Sequence, residues 1–97
     1  MKQALNKLIL EGHIVVSDDD LASVQDELPN HLELTQQEAG CLVFRVSPDP
    51  ENRNVFNVYE EFVDRDAFDL HQRRVKSSRW GEVSAKVERH YEISEYS

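Results

Sequence analysis

The chain has a single cysteine, Cys41, among its 97 residues. A lone cysteine excludes an intramolecular disulfide, and it makes a cysteine-based zinc site implausible because such sites need several thiolates. We therefore expect the protein to work in the reducing cytoplasm. No base or cation lies beside Cys41 in the sequence, so a buried structural thiol is favoured over a nucleophile.

Glycine and proline are scarce, with three of each, and long apolar runs are missing. The longest apolar run near the start, residues 8–10, is far shorter than the core of a signal peptide or a membrane span. Without repeats or biased tracts, the sequence is typical of an ordinary folded domain. Its length suits one domain with a modest core, which we place at residues 8–97 after a lead-in at residues 1–7.

Positive charge is also in short supply. Eleven basic residues face 19 acidic ones, and the formal net charge is -8. Such a field repels nucleic-acid phosphates and anionic lipids, so neither nucleic acid nor membrane is an expected partner. Acidic residues interrupt the one basic concentration, which lacks aromatics spaced for base stacking. It comprises Arg65, Arg73, Arg74, Lys76 and Arg79.

Hydrophobic periodicity predicts four strands and two helices. The predicted strands cover residues 8–16, 41–46, 55–63 and 83–93, with a hairpin loop at 47–54. The first helix follows the acidic cluster at residues 18–20, is expected to kink or split at Pro29, and is given Gly40 as its C-cap. Asp64 is positioned to cap the second helix.

This order, β-α-β-β-α-β, predicts a ferredoxin-like α+β fold with both helices on one face of an antiparallel sheet. The opposite face is left uncovered, although its residues are too apolar to be left in water comfortably. They are Ile9, Val15, Cys41, Val43, Val55, Asn57 and Tyr59. A second sheet packed against this face is the expected partner.

Glu60 is the residue that conflicts most with its surroundings. Strand alternation points it the same way as Phe56, Val58 and Phe62, toward the helices. A buried carboxylate becomes protonated or finds a partner, and His71 on the second helix is predicted to be that partner. The pair would leave one imidazole nitrogen free to move a proton, but it would equally serve as a satisfied hydrogen bond in the core.

Other polar and aromatic residues are candidates for the same cavity. His31 lies on the apolar stripe of the first helix, and Trp80 can close the cavity or anchor the last connection. Phe44, Phe62 and Phe68 are expected in the core and could wall a pocket. For His13 and His90 a solvent or interface position is favoured, and no histidine spacing indicates a metal site.

Two stretches of the chain resemble a known family. "HLELTQQEAGCLVF", residues 31–44, and "VYEEFVDRDAFDLH", residues 58–71, are similar to the antibiotic biosynthesis monooxygenase domain family in residues and spacing. The resemblance extends over about residues 8–93. It implies a dimeric α+β barrel in which each subunit keeps a pocket between its helices and its sheet.

Relatives in this family differ in chemistry, so fold alone does not decide function. Some oxidise quinols or polycyclic phenols with oxygen and without metal or flavin, some degrade haem, and one branch isomerises a phosphorylated sugar. Many members carry tryptophan where this chain has Phe62. Haem-degrading relatives place an asparagine on the first strand near the position of Gly12, which disfavours haem degradation here.

The resemblance and the residues together predict a cofactor-independent monooxygenase of a quinol or phenol, with Glu60 and His71 as catalytic residues. His31, Phe44, Phe62, Phe68 and Trp80 are the predicted substrate-binding residues. Two alternatives stay open. One is an isomerase acting on a small carbonyl compound, with Arg73 or Arg74 holding an anionic group. The other is a non-catalytic dimer that binds small aromatics.

Overall fold

A computed structural model of the protein describes residues 7–96. Its four strands and three helices follow one another along the chain in the order β-α-β-β-α-α-β. They are β1 (Lys7–Val15), α1 (Asp18–Gln36), β2 (Cys41–Pro48), β3 (Val55–Phe62), α2 (Arg65–Lys76), α3 (Arg79–Val83) and β4 (Glu88–Tyr96). Of the predicted lead-in, Lys7 belongs to β1 and residues 1–6 lie outside the described ones.

The strands form one antiparallel sheet in the order β2-β3-β1-β4. Alternate residues of the central strands are buried under the helices, as in the pairs Leu8–Phe62, Leu10–Glu60 and Ile14–Phe56. The predicted ferredoxin-like fold is therefore confirmed. The residues that alternate with these buried ones point to the opposite, outer face of the sheet, which no helix covers in the described part of the chain.

The first helix differs from the prediction because it runs unbroken through Pro29. Leu21 and Val24 before the proline and His31 and Thr35 after it are all buried against the rest of the molecule. Packing on both sides thus outweighs the cost of about 3 kcal/mol for proline in a helix interior. Within residues 7–96, no helix combines the length and the apolar character that crossing a lipid bilayer requires.

Gly40 is not the C-cap of α1, which is Gln37. Gly40 instead lies where the turn after α1 meets α2, and a Cβ atom there would collide with the Cβ of Ala67. The absence of a side chain therefore lets the turn approach α2 closely. This approach brings Glu38, two residues earlier, against the second helix.

The last connection holds a short helix that the sequence pattern did not predict. The hydroxyl of Ser78 accepts a hydrogen bond from the Gly81 backbone N–H at 3.2 Å and caps α3. The fourth strand consequently begins at Glu88, later than predicted. A bulge at the start of β2 also turns Cys41 toward the core and away from the outer face where we expected it.

Candidate active site

A cavity of about 370 Å³ lies between the buried face of the sheet and helices α2 and α3. Its deep part is formed by five buried side chains, Leu10, His31, Glu60, His71 and Trp80. Its mouth is formed by polar or half-exposed side chains, Gln72, Lys76, Arg89 and Tyr91. The volume falls within the range of pockets that hold small organic ligands.

Glu60 reaches this cavity because β3 alternates its side chains between the two sheet faces. Only 6% of its surface is exposed, and its Oε1 atom has no hydrogen-bond partner among residues 7–96. Burial raises the pKa of Glu60 to about 8, with a smaller contribution from the negative charge of Glu38. At neutral pH the group is therefore mostly a protonated acid that can donate.

His71 is paired with Glu38, and the predicted hydrogen bond to Glu60 is wrong. The Nδ1 atom of His71 lies 3.0 Å from Glu38 Oε1, and the guanidinium of Arg74 binds the other carboxylate oxygen. Arg74 also donates to the hydroxyl of Thr35 at 2.9 Å. Glu38, from the turn after α1, thus takes the place that the sequence assigned to Glu60.

This contact decides which nitrogen of His71 is free. A carboxylate acceptor at Nδ1 favours the tautomer with its proton there, which leaves Nε2 as an acceptor. Burial lowers the pKa of His71, and Glu38 partly opposes that shift. His71 also borders a second cavity of about 280 Å³ on the side of Glu38 and Arg74. Its imidazole therefore borders two cavities, with Nδ1 bound to Glu38.

His31 and Trp80 form the aromatic wall of the cavity. Their rings stack with centroids 4.5 Å apart and planes 2° apart. Burial, followed by the charges of His71 and Arg74, lowers the pKa of His31 to about 3, so this imidazole stays neutral. Its Nδ1 atom has no hydrogen-bond partner within the described chain. A flat apolar wall with one unpaired polar atom suits an aromatic ring that carries a polar group.

The predicted phenylalanines lie behind this wall and do not line the cavity. Phe44 and Phe62 contact the ring of His71, with centroids 5.4 and 5.0 Å away, and Phe68 packs edge-on against Phe62. These contacts hold the imidazole in place. The structure therefore brings four of the seven predicted site residues together at the cavity: Glu60, His71, His31 and Trp80.

The remaining candidates are placed elsewhere. Arg74 is engaged by Glu38, and Arg73 is exposed outside the cavity, so neither fits the anion-holding role that the sequence suggested. His13 and His90 stack on the outer face of the sheet with ring centroids 4.7 Å apart. Within residues 7–96, no group of three or more histidine, cysteine or acidic side chains is arranged to hold a metal ion.

Comparison with known proteins connects this site to a family. A family model described as antibiotic biosynthesis monooxygenase matches residues 8–83. The chain belongs to this family. The part that matches the antibiotic biosynthesis monooxygenase model contains Glu38, Glu60 and His71, whereas β4, with Arg89 and Tyr91, lies beyond it. Membership supports monooxygenase-like chemistry in general and leaves the substrate open.

Solved structures share the fold of the antibiotic biosynthesis monooxygenase domain. A Bacteroides thetaiotaomicron protein of unknown function, described as a possible oxidoreductase, is 16% identical with a TM-score of 0.76, covering 96% of this chain and 100% of that one. A Pseudomonas aeruginosa protein is 19% identical with a TM-score of 0.74, covering 99% and 98%. A Nitrosomonas europaea protein, named as a candidate antibiotic biosynthesis monooxygenase, is 13% identical with a TM-score of 0.68, covering 99% and 92%. No curated protein gives a significant match.

The sequence did not single out several residues that this site contains. Arg89 and Tyr91 alternate with Ile93 on β4 and share its inner side, so strand alternation could have placed them at the cavity. Burial of its hydroxyl raises the pKa of Tyr91 to about 12, which keeps it protonated. Glu38 carried no local signal, because its contact with His71 depends on how the turn after α1 meets α2.

Proposed function

We propose that the protein is a cofactor-independent monooxygenase that oxidises a quinol or a phenol with molecular oxygen. The observation that supports this proposal best is the opposite tuning of two groups at one aromatic-walled cavity. Glu60 is held as a neutral acid, and His71 is held as a neutral base. Groups whose pKa values are pushed in opposite directions mark the acid and the base of a reaction.

In this proposal, the substrate ring lies against Trp80 and His31, and Nε2 of His71 accepts a phenolic proton. The resulting anion is electron-rich and transfers electrons to oxygen, which binds to a ring carbon. Glu60 then gives its proton to the outer oxygen atom, and as the O–O bond breaks the Glu60 carboxylate takes the proton that leaves the ring carbon. The proton that His71 accepted accounts for the second hydrogen of the water that departs. General acid–base help of this kind is worth about 10²- to 10⁴-fold in rate.

The reaction balances without an external reductant. One oxygen atom enters the ring as a hydroxyl group, and the other leaves as water. Oxygen takes up four electrons. A quinol supplies two at the hydroxylated C–H position and two in its conversion to quinone, and a phenol supplies all four when the entering oxygen atom ends as the second carbonyl of a quinone. Because the substrate supplies all of them, the chemistry requires no flavin or metal.

Oxygen uptake with menadiol under isotopically labelled oxygen tests this function. The purified protein should consume oxygen faster than buffer and incorporate one labelled atom into a hydroxylated quinone, whereas spontaneous oxidation yields unlabelled menadione and peroxide. His71→Gln should lose most of the labelled product. Glu33→Gln, an exposed change on α1, is the control. No labelled product, or undiminished product from His71→Gln, would remove the proposal.

A second candidate function is proton transfer in an isomerase acting on a small carbonyl compound. A protonated carboxyl and a neutral imidazole at the same cavity are the groups that enolisation uses. Exchange of carbon-bound hydrogen with deuterated water, measured without oxygen, distinguishes this activity from oxygenation. Saturable quenching of Trp80 fluorescence by quinones without any turnover would instead indicate a binding protein.

We also propose a homodimer formed through the outer face of the sheet, in the cytoplasm. Ile9, Val15, Val55 and Tyr59 are only partly buried there, and no described element covers them. A second copy would bury these apolar side chains. Light scattering coupled to gel filtration should give twice the chain mass, and Val55→Glu should shift the protein toward the monomer.

A further inference from the structure

The mouth of the cavity carries two basic side chains, although the chain as a whole is acidic. Lys76 and Arg89 both line it, on α2 and β4, in a protein with a net charge of -8. In the second cavity beside His71, by contrast, the basic lining residue Arg74 is paired with the carboxylate of Glu38. Two cations at the opening of a pocket whose interior is aromatic form a distinct arrangement.

Neither cation is neutralised by a carboxylate within residues 7–96. Arg89 donates to the carbonyl and hydroxyl oxygens of Ser84, at 3.0 and 3.2 Å, and to the carbonyl of Val87 at 3.4 Å. These neutral acceptors fix the guanidinium without cancelling its charge. Lys76 is exposed and forms no ion pair with any described residue.

The titratable side chains at the inner end of the cavity differ from the charged side chains at its outer end. Glu60 and His71, which are 6% and 3% exposed, lie at the inner end, whereas Lys76 and Arg89 are exposed at the outer end. An aromatic ring that directs a hydroxyl toward the inner pair would therefore carry its opposite edge to the two cations. A charged guanidinium and an ammonium bind carboxylate or phosphate through charge-assisted hydrogen bonds.

We infer that the substrate is a phenol or quinol bearing an anionic group, carboxylate or phosphate, on the side of the ring away from the reacting hydroxyl. This inference rests on the proposed function for the reacting end of the molecule. Lys76 and Arg89 are its specificity-determining residues. They bind the anion at the mouth of the cavity. The acidic residues elsewhere on the protein repel it little, because salt screens charges that lie more than roughly 10 Å away.

Calorimetric titration of two matched ligands tests the inference without requiring turnover. The ligand 6-hydroxy-2-naphthoate has its hydroxyl and carboxylate at opposite ends, and 2-naphthol lacks only the carboxylate. The wild-type protein should bind the carboxylate at least about tenfold more tightly. A parallel titration with 2-naphthyl phosphate separates a preference for carboxylate from one for phosphate, and either preference supports the anionic class.

Substitutions of Lys76 and Arg89 test whether these two residues cause the preference for the anionic ligand. Lys76→Gln and Arg89→Gln should each cut the affinity ratio by about threefold or more and leave the affinity for 2-naphthol within about twofold. Arg89→Lys, which keeps the charge, should retain most of the ratio. Arg79→Gln is the control, because Arg79 is exposed outside the cavity and lies 3.7 Å from Glu82.

Any of three results would overturn the inference: equal affinity for the two ligands, no measurable binding of the anionic ones, or a preference that survives in both glutamine variants. Its failure is distinguishable from that of the proposed function. A protein that prefers the carboxylate but incorporates no labelled oxygen refutes oxygenation alone. A protein that hydroxylates menadiol but shows no preference refutes the anion site alone.

Discussion

Glu60 and Glu61 are adjacent in the chain, but their side chains lie on opposite faces of the sheet and their pKa values shift in opposite directions. Glu60 points into the cavity, where burial raises its pKa to about 8. Glu61 points to the outer face, where a hydrogen bond from Tyr59 and then the ammonium of Lys7, 3.0 Å away, lower its pKa. The comparison shows that strand alternation decides whether a glutamate is protonated or ionised at neutral pH, because it determines whether the side chain lies in the buried cavity or beside polar partners on the outer face.

The largest expected effect is on activity. Glu60→Gln should lower the rate of labelled oxygen incorporation by about 10²- to 10⁴-fold, because glutamine fills the same space but has no proton to give. Glu61→Gln should change the rate by less than about threefold, since that side chain faces away from the cavity. Equal losses in the two variants would contradict the assignment of Glu60 as the acid.

The pH dependence of folding should separate the two glutamates next. Because the pKa of Glu60 is raised to about 8 from 4.5, the folded state holds its proton more tightly, and stability is lost as pH rises through that interval. Urea denaturation should show a loss of about 2 kcal/mol between pH 6.5 and 8.5. Glu60→Gln should abolish this loss, and Glu61→Gln should retain it because a lowered pKa acts only at acidic pH.

The acid side of the same curve belongs to another residue. The pKa of His31 is lowered to about 3 from 6.5, so its contribution to stability is lost as pH falls through that range. The wild-type protein should thus be most stable at mildly acidic pH. A stability maximum above pH 8 would conflict with the raised pKa of Glu60, and a maximum near pH 3 would conflict with the lowered pKa of His31.

A smaller effect on activity is expected from Glu38, the carboxylate that pairs with His71 in place of Glu60. Glu38→Gln removes the charge that raises the pKa of His71, so that pKa should fall further, as read from the histidine ring signals by NMR. Activity should drop by about tenfold, because the tautomer of His71 is less firmly fixed. Glu33→Gln serves again as the exposed control. An unchanged His71 titration would show that Glu38 does not position it.

The smallest effect concerns the outer face. Lys7→Gln breaks the ion pair with Glu61, and the free energy of unfolding should fall by less than about 1 kcal/mol because the lysine is well exposed to water. Salt should reduce even that difference. A loss of several kcal/mol would mean that the interface of the proposed homodimer extends over this ion pair and removes it from water.

The sequence was sufficient to predict features that local periodicity encodes. Alternation along β3 placed Glu60 under the helices, and helical spacing turned His71 toward the sheet. The cap predicted at Asp64 is confirmed, since its carboxylate accepts a hydrogen bond from the backbone N–H of Ala67. The order of strands and helices followed from the same patterns. These features depend on residues within a few positions of one another.

Features that depend on long-range packing were not predictable. The choice of Glu38 over Glu60 as the partner of His71 rests on the close approach at Gly40, which no short pattern encodes. The continuity of α1 through Pro29 was missed because burial on both sides of the proline outweighs local preference. The short helix around Trp80 was missed because five residues carry too little periodicity to detect.

The position of His71 between two cavities has a consequence for the way a catalytic cycle could run. A proton taken up at Nε2 on the substrate side can be balanced by release from Nδ1 through Glu38, which is partly exposed on the far side. In the proposed reaction, His71 can then be reset from the side of Glu38 while the substrate cavity is still occupied.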